Sequence, residues 1–142
     1  MRDVTTYRAK DVLIIFGASQ LHGFSEEDMV TIKPHGEGTQ IYVGADGEVG
    51  RSLDPDECLE VTIELAKTSE SNDVLTNYYN LDRKTGKGLM PLMIKDLSGT
   101  TLVAAKQAWV TNVPEVKLGK KINSNSWTIH TGAAEVLFGG NN

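Results

Sequence analysis

Residues 40–81, QIYVGADGEVGRSLDPDECLEVTIELAKTSESNDVLTNYYNL, decide the fold, because strand, acidic turn, strand and helix follow one another in a single run. Leu59, Val61, Ile63 and Leu65 alternate with Glu60, Thr62, Glu64 and Ala66, the period-two pattern of a strand with one buried face. Residues 68–72 then offer helix-capping side chains, and Val74, Leu75, Tyr78 and Leu81 recur at the three- and four-residue spacing of an amphipathic helix over residues 72–83. Lys84-Thr85-Gly86-Lys87-Gly88 ends that helix with basic residues and glycine, as the helix dipole and a left-handed cap favour.

Upstream, Val12-Leu13-Ile14-Ile15-Phe16 is a continuous apolar run with β-branched members, which predicts a strand covered on both faces. Residues 17–28 break the pattern, and Ser25-Glu26-Glu27-Asp28 reads as a short helix start or a solvated loop. Val30 and Ile32, with Ile41 and Val43, mark two short strands joined as a hairpin through Pro34-His35-Gly36-Glu37-Gly38. Residues 44–57 form a long acidic connection with the turn dipeptide Asp46-Gly47 and the run Asp54-Pro55-Asp56-Glu57. Connections above about 12 residues are uncommon inside a compact domain, so this one is expected to reach a neighbour.

Downstream, residues 92–96 read as a strand, Leu97-Ser98-Gly99 as a turn, and residues 101–111 as a long strand with a bulge at 106–108. Residues 112–125 form a loop with Pro114, Lys117, Lys120 and Lys121. Trp127, Ile129, Thr131, Val136 and Phe138 predict a closing hairpin across Gly132-Ala133-Ala134. Residues 1–10 are expected to be an arm ordered by contact, and 139–142 a flexible tail. About eight strands with polar-out alternation and one helix predict a mainly β domain over residues 1–142: an antiparallel β-sandwich or flattened barrel carrying one short α-helix.

The 142 residues suffice for one domain with its own core, without disulfides or metals. A net charge of -5 and a pI near 5.1 argue against gripping nucleic acid along its phosphates, which takes clustered Lys and Arg. Cys58 is the single cysteine, so no intrachain disulfide scaffold is possible and cytoplasmic synthesis is expected. The apolar run at 12–16 is far shorter than a signal-peptide core or a spanning helix.

Catalytic and ligand motifs are absent from the pattern. His22, His35, His130 and Cys58 lack the local spacing of a zinc site, and no serine sits in a nucleophile-elbow context. Gly86-Lys87-Gly88 lacks the earlier glycine and the following Ser or Thr of a phosphate loop. Asp46, Glu48, Asp54, Asp56 and Glu57 do not follow a calcium-loop spacing, and Cys58, with no adjacent base, reads as a small buried hydrophobe. No catalytic, metal or cofactor site is therefore expected. Trp109, Trp127, Tyr42 and Tyr7 are too scattered to predict an aromatic ligand platform, and packing is their expected use. A soluble β-sandwich that binds a small ligand is nevertheless the reading from another functional class.

The order of turn 44–49, strand, and exit Leu65-Ala66-Lys67-Thr68-Ser69 resembles the tail tube proteins of contractile-tailed bacteriophages. The resemblance is closest over residues 32–79 and reaches the C-terminus more weakly through 104–108 and 127–138; residues 1–29, and 17–29 above all, fit it less well. It implies a hexameric ring whose subunits' sheets join into a continuous inner β-barrel. Stacked rings would make a tube that conducts DNA at ejection and serves as the core for a sheath. The implied partners are further copies of the chain, a tail sheath protein, and baseplate and tail-terminator proteins, in the virion, with DNA passing unbound. Baseplate, terminator and secretion-system tube proteins of the same fold are the nearest alternatives. Under this resemblance Glu60, Thr62 and Glu64 look into the lumen, where carboxylates repel phosphates. Asp46, Glu48, Arg51, Asp54 and Asp56, with the arm, contact other subunits.

Overall fold

The computed structural model describes residues 4–26 and 28–140. Residues 1–3 of the expected arm, Glu27 of the acidic run and residues 141–142 of the expected tail lie outside the described residues. Ten strands and one α-helix follow in order: β1 (Val12–Phe16), β2 (Ser19–Gln20), β3 (Val30–Pro34), β4 (Gln40–Val43), β5 (Val49–Ser52), β6 (Leu59–Ala66), α1 (Ser71–Thr85), β7 (Met90–Asp96), β8 (Leu102–Asn112), β9 (Ser124–Thr131) and β10 (Ala134–Leu137). A single 3-10 turn at Ala9–Asp11 precedes β1.

Eight of the strands form one antiparallel sheet in the order β2-β1-β7-β8-β9-β6-β3, with β10 also on β8. Residues 19–25 bring the ends of this path together. Gln20 pairs with Ile15 and Leu21 N–H donates to the Ile14 carbonyl, then Ala66 N–H donates to Gly23 and Ser25 N–H to Glu64. The sheet thus wraps over a single apolar core, as a flattened barrel. β6 shows why: Leu59, Val61, Ile63 and Leu65 are buried, while Glu60, Thr62 and Glu64 on the other face are half-exposed. Ile14, Phe16, Leu92, Ile94, Val103, Val110, Trp127 and Ile129 complete the core from the neighbouring strands.

β8 is the corner of the barrel. Leu92 pairs with Ala105 but Met90 with Ala108, so β8 carries one extra residue at 106–107, the expected bulge. Opposite it stands Pro91, which has no N–H to lose from the ladder. On its other edge β8 is followed first by β9 (Ala108 to Thr131) and then by β10 (Ala105 to Ala134). Gly132 N–H donates to the Gln107 carbonyl at 2.8 Å between the two. The expected closing hairpin is therefore wrong: β9 runs on into β10 along one partner, because the hydrogen bond of Gly132 N–H to β8 carries the chain on along the same edge instead of reversing it.

A second correction concerns residues 30–57. β3 does not pair with β4; it lies on β6, with Ile32 opposite Val61, where its apolar side chains reach the core. β4 pairs instead with β5, Ile41 opposite Arg51 and Val43 opposite Val49, as a separate two-stranded sheet. The stretch 44–57 is thus not one extended acidic loop but a tight turn, a strand and a return leg. Residues 17–24 hold β2 and an isolated bridge from Phe24 to Leu65, and the described residues of the run that follows, Ser25, Glu26 and Asp28, are not helical, which leaves the loop of the two expected alternatives. In the tail, Gly139 exchanges hydrogen bonds with Thr101 and the Gly140 carbonyl accepts from Thr100 N–H.

α1 closes one side of the core with Leu75 fully buried and Tyr78 edge-on to Phe16, ring centroids 5.1 Å apart. Gly17 turns with φ +64° beneath Tyr78, where a Cβ would collide with the phenol oxygen. At the start of α1, Ser69 Oγ accepts from Ser71 N–H, but Asn72 is turned to the barrel. Its Nδ2 donates to the Ala66 and Ser69 carbonyls, each at 3.0 Å, and its Oδ1 accepts from Trp127 Nε1 at 2.9 Å and Asn125 Nδ2 at 3.1 Å. The buried indole thereby finds the partner that its N–H requires. At the other end Gly86 takes the left-handed cap, φ +69°, with its N–H on Asp82.

Candidate functional site

The outward face of β6 is built by strand pairing. Glu60 lies between Lys33 of β3 and His130 of β9, Thr62 between Thr31 and Thr128, and Glu64 beside Ser126. Lys33 Nζ stands 3.5 Å from Glu60 Oε2, an exposed pair worth little in water but enough to break the acidic character of this face. His130 stacks on Trp109 of β8, centroids 6.5 Å apart, and its Nδ1 is hydrogen-bonded to Thr111 Oγ1. The proposed lumen residues thus share a mixed polar wall drawn from four strands, of which the sequence pattern shows only one.

Above this wall the two legs of the β4–β5 hairpin are clamped together. Asp54 Oδ2 accepts from Gly38 N–H at 2.9 Å, across to the outgoing leg, and Asp54 Oδ1 from Asp56 N–H. Asp56 Oδ1 accepts from Cys58 N–H and its Oδ2 meets His35 Nδ1 at 2.7 Å. The Asp56 hydrogen bond raises the His35 pKa, and the same bond, with that from Cys58, lowers that of Asp56. Asp54 and Asp56 therefore spend their oxygens inside their own chain, although they were expected at a contact with other subunits. Sequence reading missed His35 as the partner of Asp56, since nothing in its spacing marks it.

The hairpin itself carries the other expected contact residues. Asp46 Oδ1 accepts from Glu48 N–H and shapes the turn, and Arg51 stands in β5; all three side chains are exposed. The larger feature is apolar. Ile41, Tyr42, Val43 and Val49 are exposed by 74%, 71%, 58% and 68%, and every residue of both strands is exposed. A lone two-stranded hairpin is marginal in water, and a contiguous apolar surface marks an interaction site. Ile41, Val43 and Val49 on either side of the Asp46-Gly47 turn were the signal that could have found it.

The remaining candidates are dispersed. Cys58 is half-exposed rather than buried, and its thiol pKa is pushed up, by a hydrogen bond to Asp56 and then by burial, away from a nucleophile's range. His35 and His130 come edge to face at 6.0 Å, yet among the described residues no group of three or more His, Cys, Asp or Glu could hold a metal. Lys87 lies just past the cap of α1. Trp127 is in the core and Trp109 on the outer wall, while Tyr42 and Tyr7 are exposed elsewhere, so the four make no platform. No described helix is long and apolar enough to cross a membrane.

Comparison with known proteins assigns the chain to a family. The family model of the bacteriophage PhiTE tail tube protein covers residues 15–139. Structural protein ORF10 of Pseudomonas phage KPP10 is 31% identical over 145 residues, spanning 96% of this chain and 84% of that protein. Among solved structures, the tube–sheath complex of the PVC extracellular contractile injection system in its extended state aligns with a TM-score of 0.61 at 14% identity, covering 93% of this chain and 91% of the other. The tube-terminating cap of the anti-feeding prophage aligns with a TM-score of 0.58 at 11% identity, covering 96% and 94%. At such identities these two show the fold alone. The family match and the phage relative show more: the chain belongs to the bacteriophage PhiTE tail tube protein family and is a structural protein of the phage tail.

Proposed function

We propose that this chain closes into hexameric rings that stack into the tail tube, with Glu60, Thr62 and Glu64 lining the lumen and the β4–β5 hairpin reaching a neighbouring subunit. The observation that carries this reading is the hairpin: a tail tube family chain holds Ile41, Tyr42, Val43 and Val49 bare on a two-stranded sheet. Burial in permanent interfaces of ~2,000 Å² or more would supply what the isolated fold lacks.

Unpaired edges support ring closure. In the layer β3-β6-β9-β8, β3 has one partner, and the pairing of β7 with β8 stops at Met90 and Ala108, leaving residues 109–112 bonded to β9 only. Closing such edges through neighbours removes a standing aggregation hazard. The polar wall would then face DNA in transit without gripping it, while sheath, baseplate and terminator proteins meet the assembled tube. This role requires no chemistry. The likeness to a terminating cap is one of fold, whereas the family model is that of the tube protein itself.

Cryo-electron microscopy of the purified chain tests the reading. The expected result is hollow rods of sixfold rings with Glu60 on the inner wall and residues 40–52 between subunits. A strict monomer, or rods with Glu60 on their outside, refutes it.

A further inference from the structure

Charge is distributed along this fold in a way that the tube reading does not require. Residues 37–57 hold Glu37, Asp46, Glu48, Asp54, Asp56 and Glu57 against Arg51, which equals the whole chain's net charge of -5. The remainder of the molecule is neutral overall. Residues 113–123, the loop between β8 and β9, hold Lys117, Lys120 and Lys121 against Glu115. That loop also exposes Val116, Leu118 and Ile122 by 59%, 79% and 70%.

Register places the two at opposite ends of one layer. The hairpin leaves from Pro34 and returns at Leu59, where β6 begins and β9 ends, Glu60 facing His130. The loop enters β9 at Ser124, which faces Ala66 at the far end of β6. It is fixed there by Lys67 N–H on the Asn123 carbonyl at 2.8 Å and Lys67 Nζ on the Lys117 carbonyl at 3.4 Å. An eight-residue strand separates the ends by about 26 Å, so hairpin and loop of one copy do not satisfy each other.

We propose that loop 113–123 of one copy is the seat for the acidic hairpin of the next copy along the tube axis. The inference rests on the tube reading and deepens it by naming the receiving surface. Each end brings bare aliphatic side chains ringed by charge, the arrangement of an interface with an apolar centre and a polar rim, and the two rims have opposite sign. A donor end and a different acceptor end make a head-to-tail contact, which repeats without closing. The rim charges steer encounter and set polarity, and since they are exposed the growth of the tube slows as salt rises.

The test reverses each side in the full chain. K120E/K121E should fold and form rings but lose at least tenfold of its sedimentable rods. E37K/D46N/E48K/E57K, which keeps an acceptor oxygen for the turn at position 46 and turns the hairpin's net charge from -5 to +2, should lose a similar share. Combining both sets of substitutions, which makes the hairpin +2 and the loop -2, should restore rods. Rods at wild-type yield from K120E/K121E, or no recovery in the combined chain, overturn the proposal. Loss of rings as well as rods in K120E/K121E overturns it too, assigning the loop to ring closure. Unchanged rods that no longer retain duplex DNA would make the loop a nucleic-acid contact and likewise overturn it. A wild-type chain that forms neither rings nor rods refutes the tube reading itself, which separates the two failures.

Discussion

β6 and the β4–β5 hairpin are both antiparallel and both carry alternating or clustered aliphatic residues, yet every second side chain of β6 is buried and none of the hairpin's is. β6 has β3 on one edge and β9 on the other, and its apolar face closes on buried residues from β1, β7, β8 and β9. The hairpin has only itself. Aliphatic side chains thus meet two fates: in β6 they contribute to the folding free energy of the chain, and in the hairpin they stay in solvent, as the proposed contact with a neighbouring copy requires. The difference lies in the partners, since apolar area stabilises only when something covers it.

The largest expected effect separates the two regions directly. Ile63→Ala should destabilise the isolated subunit by ~2–5 kcal/mol in urea unfolding, because it opens a cavity in a packed core. Ile41→Ala should change it by no more than about 0.5 kcal/mol, as a surface substitution does. Equal losses would show that the hairpin is part of the subunit's own core and break the contrast.

An intermediate effect is expected where helix meets barrel. Asn72→Ala leaves the Trp127 indole N–H and two carbonyls without their partner, a cost of ~1–3 kcal/mol for a buried unsatisfied group. Thermal unfolding followed by tryptophan fluorescence in a Trp109→Phe background, which leaves Trp127 as the single indole, measures it, and an unchanged midpoint would mean that water replaces the amide.

The smallest effect concerns the clamp at the hairpin root. His35 has its pKa raised above 6.5 in the folded chain and Asp56 has its own lowered below 3.8. The histidine's contribution is fully present below 6.5 and is lost as pH rises through its folded pKa; the carboxylate's is present above 3.8 and is lost as pH falls through its folded pKa. The pair is therefore tightest between those limits. NMR titration should place His35 above its ordinary value, and Asp56→Asn should bring it back down; a His35 that titrates normally removes the clamp.

Much of the fold is legible in the residues. β1, β6, α1, the Gly86 cap and the bulge in β8 all follow from patterns that act within a few residues. The pairings of β3 with β6 and of β10 with β8 do not, because a five-residue apolar strand is compatible with any edge that offers a matching face. Residues 30–34 and 40–43 look alike in sequence, and what distinguishes them is that Ile32 reaches the core beside Val61 while Ile41 does not. The candidate site was legible in the same uneven way. Glu60, Thr62 and Glu64 fall on the outward face as their alternation implies, whereas Asp54 and Asp56 turned out to bind Gly38 and His35 across the hairpin root.

The sequence by itself determined that this is an acidic, mainly β chain with one capped helix and one strand of fixed faces, since periodicity, capping and charge are properties of neighbouring residues. Only the tertiary structure decided which strands share an edge, that the hairpin stands uncovered, and that acidic hairpin and basic loop occupy opposite ends of one layer. Those are relations between residues far apart in the chain, and they are settled by how apolar faces are shared round a common core, which no local pattern encodes.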